Sequence, residues 1–102
     1  MRLEYTFDLS QVDVPRFSVE AVEGIGKVFT LATLVLNVLE TRPIVELVFH
    51  GLNPDDPGKK IEAFSRIIDS ADTGHTLSYE QRAGGAVPGS SSYYRWVRVT
   101  RN

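Results

Sequence analysis

The chain has no cysteine, and only one methionine, one tryptophan and two histidines. Without thiols there are no disulfide staples and no thiolate chemistry, so 102 residues must be held together by an apolar core. His50 and His75 could build a zinc site only with carboxylates from Asp55, Asp56 or Asp72, at no recognisable ligand spacing. No metal and no cofactor is therefore expected. No apolar run approaches the ~20 residues of a membrane-spanning helix. The opening Met1-Arg2-Leu3-Glu4-Tyr5-Thr6 lacks the apolar core of a secretory signal. Membrane insertion is not expected, and a cytoplasmic protein is. There is no basic surplus either: the formal charge is -2, which argues against a general nucleic-acid binder. The charge is uneven, with four basic and nine acidic side chains in residues 1–58 and seven basic and four acidic in residues 59–102.

What is present in quantity is alternation. The most apolar stretch, Val28–Leu39, is broken only by Thr30, Thr33 and Asn37 and holds no charge. Its Thr, Val and Phe content favours a strand covered on both faces over a core helix. Val28, Thr30, Ala32, Leu34, Leu36 and Val38 would then face one way, and Phe29, Leu31, Val35 and Leu39 the other. Covering both faces in so short a chain calls for a curled or closed sheet. Leu3–Leu9 and Phe17–Val22 alternate as half-buried strands, joined by Ser10–Pro15. Ile44–His50 places Val45, Leu47 and Phe49 on one face and Ile44, Glu46, Val48 and His50 on the other. Gly51–Gly58 is dense in turn formers.

Lys59–Asp72 fits two templates. Ile61, Phe64, Ile67, Ile68 and Ala71 make a helical stripe with Asp56 as N-cap and Pro57 in the first turn. Its lysines at the start and Asp69 and Asp72 at the end oppose the helix dipole, and its isoleucines favour the alternative, a strand. His75–Arg82 alternates, residues 83–92 read as a flexible loop, and Tyr93–Arg101 is a last strand. The expected fold is one mainly β domain over residues 1–102: a small closed or partly open antiparallel barrel of about seven strands, with Lys59–Asp72 as its one short helix at most.

No constellation of catalytic residues emerges, so no enzyme is expected. Gly24-Ile25-Gly26-Lys27 lacks both the third glycine of a dinucleotide fingerprint and the Lys-Ser or Lys-Thr of a P-loop, and reads as a backbone link needing positive φ or close packing. Ser90, Ser91 and Ser92 have no nucleophile-elbow context. The strand carrying Tyr94, Trp96 and Arg98 on one face resembles a stacking surface for single-stranded nucleic acid or oligosaccharide. Against that, aromatics that complete a core beside solvated arginines fit a negatively charged chain better.

Read together, Tyr5-Thr-Phe-Asp-Leu9, Arg16–Leu31, Arg42–Phe49 and Ser70–Glu80 resemble the opening barrel of VgrG-type spike proteins of contractile injection systems and of related phage tail hubs. The resemblance departs in a shorter link between Asn37 and Arg42 and in the missing Phe-His-Gly after Gly58. It implies a structural or assembly role as a hub-like or adaptor subunit, with itself or tail and spike neighbours as partners, in a tail-like particle or type VI secretion apparatus. The barrel, the hub resemblance and that assembly role all depend on Val28–Leu39 being extended.

Overall fold

The computed structural model describes residues 14–71, 74–89 and 92–102. Val28–Leu39 is helical, which overturns the barrel. The elements run β1 (Arg16–Val19), α1 (Ile25–Leu39), β2 (Ile44–Gly51), α2 (Asp56–Ser70), β3 (Leu77–Ala86) and β4 (Tyr93–Arg101). Among the described residues the strands form one open mixed sheet in the order β1-β2-β4-β3. β1 and β2 are parallel, and β4 is antiparallel to both of its neighbours. The strand expected at Leu3–Leu9 lies outside the described residues.

The physical reason for the helix is in the spacing of the residues it buries. Val28, Leu31, Ala32, Val35 and Leu39 are the buried positions of α1, a 3.6-residue stripe of one face. Leu34 and Phe29, which an extended chain would have to cover, remain exposed. The threonines that favoured a strand return their hydroxyls to the helix itself: Thr30 Oγ1 donates to Gly26 O at 3.1 Å and Thr33 Oγ1 to Phe29 O at 3.3 Å. No basic residue occupies the last turn of α1. Arg101, at the end of β4, supplies the missing donors instead, giving Nη1–H to Leu39 O at 2.5 Å and Glu40 O at 3.1 Å.

Lys59–Asp72 resolves the same way, as helix rather than strand through Ser70. Asn53 Oδ1 accepts from the backbone N–H of Asp55 at 3.1 Å and of Asp56 at 2.9 Å, and Pro57 enters the first turn. Pro57, Lys60, Ile61, Phe64 and Ile68 form its buried face. The adverse dipole placement of the lysines is outweighed because Lys60 is buried among oxygens.

Both helices pack on one face of the sheet. The core joins the α1 and α2 stripes to Val19, Val45, Leu47, Phe49, Val97 and Val99, with Phe49 edge-on to Phe64 at 5.6 Å between ring centres. The face assignments for Ile44–His50 and for the last strand agree with the sequence pattern. Residues 83–86, expected in a flexible loop, extend β3, which carries a bulge between Ala83 and Gly85. The bulge has a packing reason: Tyr94 lies against Gly84, so that a Cβ there would fall 2.2 Å from the ring. Gly84→Ala is expected to cost about 1–3 kcal/mol in denaturant unfolding, the range of an overpacked core. A Cβ there would also fall 2.4 Å from the Tyr94 backbone oxygen, so an unchanged midpoint would show that the bulge itself, and not only the ring, can shift. Gly24 and Gly26, in contrast, need no special backbone: neither has positive φ, and a Cβ at either meets nothing within 4 Å. No helix among the described residues is long and apolar enough to cross a membrane.

Candidate binding site at the carboxyl end of the parallel strands

The sheet face away from the helices is a graded surface, and the strand register orders it in rows. Arg16, Glu46, Arg98 and Glu80 stand side by side across β1, β2, β4 and β3. Glu46 is completely buried, with Arg16 Nε 2.9 Å from Oε1 and Arg98 giving Nε–H and Nη2–H to Oε2 at 3.2 and 2.7 Å. The contact with Arg16 is an ion pair whose N–H is not aimed along a hydrogen bond. The next row is Ser18, Val48, Trp96 and Arg82. Beyond it His50 faces Tyr94 in register, their rings 6.3 Å apart, and Tyr94 meets Trp96 edge-to-face at 6.3 Å.

Arg16, Phe17, Ser18, Glu20, Val48, His50 and Trp96 line an open groove of about 560 Å³. It leads to the carboxyl ends of β1 and β2, the end at which open α/β sheets receive ligands. Lys60 builds that end. Its Nζ donates to Glu20 O at 3.0 Å, Ala21 O at 3.3 Å and His50 O at 2.7 Å, and lies 3.4 Å from Asp56 Oδ2. One ammonium thus ties the exit of β1, the exit of β2 and the entry of α2. The turn after β1 is closed again by Glu23 N–H to Glu20 O and by Glu20 N–H to Glu23 Oε1, at 3.0 and 2.8 Å. Val22 sits on this fixed turn and is 84% exposed. Leu52, two residues beyond the carbonyl of His50, is 59% exposed, and Ile25 and Phe29 at the start of α1 are exposed as well. Because Lys60 holds Ala21 and His50 together, Val22 and Leu52 belong to one surface.

Ser18 Oγ donates to Glu20 Oε1 at 3.2 Å, so the hydroxyl is spent on the carboxylate and not on the imidazole. Burial holds the His50 pKa below its ordinary 6.5; Glu20 pulls upward and Lys60 adds to the lowering. The fold thus prefers the neutral ring, and the stability it contributes is present above 6.5 and lost as pH falls through the lowered folded value. His50→Gln is expected to flatten that part of the decline in a pH series of unfolding midpoints. An identical slope in the variant would assign the decline to other groups.

The residues singled out from sequence fall differently. Tyr94 and Trp96 are brought together, but Trp96 is 1% and Tyr94 6% exposed, so neither offers a ring face for stacking, and Arg98 is engaged by Glu46. His50 and His75 are separated along the sheet. His50 pairs with Tyr94 at one end of β4, while His75 precedes Leu77, which pairs with Arg101 at the other. Among the described residues no three His, Asp or Glu side chains converge as a metal site. Asp55 and Asp56 serve the start of α2. Sequence reading missed Lys60, Glu20 and Val22; a lysine inside a buried stripe was the available signal.

The class defined by the described residues is an α/β domain whose two helices cover one face of a mixed sheet, with a lip of exposed apolar residues at the carboxyl end of its parallel strands. The sequence matches no protein-family model and no curated protein.

Proposed function

We propose that the chain is a non-enzymatic protein-interaction module that assembles with another protein subunit through the carboxyl end of β1 and β2. The observation that carries this is the exposure of Val22 and Leu52 next to the Ala21 and His50 carbonyls that Lys60 ties together, with Ile25 exposed nearby at the start of α1. Apolar side chains displayed on a preorganised surface mark contact sites, because burying them costs little ordering entropy. The assembly role therefore rests on a surface the sequence reading did not identify. The tail or secretion setting rested on a closed barrel, and an open sheet withdraws that support. Binding of nucleic acid or sugar through Tyr94, Trp96 and Arg98 loses its geometry to burial.

Site-specific photo-crosslinking of the full chain in its own cell tests the proposal, with the crosslinker at Val22 or Leu52 and, as control, at exposed Glu62 on α2. Discrete adducts are expected from Val22 and Leu52, lost in Ile25→Asp and absent at Glu62. Equal labelling at all three positions, or none at Val22 and Leu52 together with a strict monomer in light scattering, overturns it.

A further inference from the structure

The groove beside the apolar lip contains one carboxylate that the fold does not use up. Glu20 is exposed, and among the described residues its side chain accepts a single hydrogen bond, from Ser18. The cations of the neighbouring sheet positions are already engaged. Arg16 and Arg98 converge on Glu46, and Lys60 is surrounded by three carbonyls and Asp56. Burial shifts His50, alongside, toward its neutral form. Lys27, in the first turn of α1, is paired with Glu23 at 3.7 Å, so among the described residues no cation is bonded to the Glu20 carboxylate. Glu20 and Val22 are two residues apart, so their Cα atoms are within about 7 Å, the span of two extended residues. A partner segment in extended form repeats the same spacing between side chains on one face.

We propose that the groove takes a basic side chain of a partner protein at Glu20, while an apolar residue next to it or two positions away in the partner covers Val22 and Leu52. This rests on the docking role above and specifies the partner: a short segment pairing Arg or Lys with a large apolar residue. Charge complementarity at Glu20 selects this segment over an acidic one, and the apolar lip selects it over a purely basic one.

The test is a titration of the full chain followed by amide NMR, with three blocked peptides as probes: Leu-Ala-Arg-Ala-Leu and the same peptide with citrulline or Glu in place of Arg, which put the leucines two positions from the central residue on its own face. Citrulline keeps the shape of arginine and removes its charge. The arginine peptide is expected to shift the amides of residues 18–22 and 50–52. It should bind about fivefold more tightly than the citrulline peptide, the scale of one partly exposed charge pair. Glu20→Gln should bring the two to equal affinity. If the arginine and citrulline peptides shift the same amides with equal affinity in the wild type, the cation site fails while the docking surface stands. If the arginine peptide shifts only residues elsewhere, or none, the cation site fails; when the crosslinking at Val22 and Leu52 is also negative, the docking surface fails with it.

Discussion

Lys60→Met is expected to lower the unfolding free energy by about 3 kcal/mol, the scale of breaking a buried charge–dipole cluster. The side chain is 4% exposed, and its Nζ supplies donors to Glu20 O, Ala21 O and His50 O beside the Asp56 carboxylate. Methionine keeps an aliphatic stem on the buried face of α2 but leaves three carbonyls and a carboxylate converging without a proton among them. Lys59, one residue earlier and exposed, is the control: Lys59→Met stays within about 0.5 kcal/mol, as surface changes do. Denaturant unfolding at neutral pH measures both. The consequence reaches the proposed site, since the turns bearing Val22 and Leu52 are fixed through this ammonium. Amide exchange of residues 20–23 and 51–53 should accelerate in Lys60→Met before global unfolding does. A loss below about 1 kcal/mol would mean that the turns hold themselves and that Lys60 is a passenger.

Glu46→Gln has a comparable effect by a different route, about 3 kcal/mol, because it leaves two guanidinium groups facing each other across a buried amide. Glu46 is fully buried between Arg16 and Arg98, on the sheet face that neither helix covers. Glutamine preserves volume, so the loss reports the missing charge and the exchange of one acceptor oxygen for a donor, and not a cavity. A double-mutant cycle with Arg98→Met isolates the pair, and a coupling above about 1 kcal/mol is expected for the two N–H groups on Oε2. A cycle that closes additively would show that the row is positioned by the strands alone. The row also bears on register: a one-residue slip of β2 against β4 would drive Glu46 into the apolar layer under the helices.

How much of this was legible differs by element. Ile44–Gly51 and Tyr93–Arg101 declare themselves, because a strand with one face on the core and one away from it must alternate. Val28–Leu39 does not declare itself. The stripe Val28, Leu31, Ala32, Val35, Leu39 was present in the sequence, but Phe29, Leu34 and Leu36 fill the positions that would otherwise be polar and show its period. A helix that is apolar nearly all round looks like a two-sided strand. Those same surplus residues, Phe29 and Leu34, are exposed in the fold. Lys59–Ser70 was misjudged for a related reason: the dipole argument counted Lys60 as a solvated charge, whereas β1 and β2 surround it with carbonyls.

The sequence by itself determined which residues can be inside: alternation set the faces of β2 and β4, turn chemistry set the break after Gly51, and composition set aside thiols and long apolar spans. Only the tertiary structure decided the architecture and the site. Whether an apolar run coils or extends depends on what covers it, and here one helix-bearing layer takes a single stripe instead of two sheet faces. The cluster at Lys60 joins residues 20 and 21 of the turn after β1, residue 50 of β2, and residues 56 and 60 of α2. No local pattern encodes that meeting, because it exists only once β1 and β2 run parallel and end side by side.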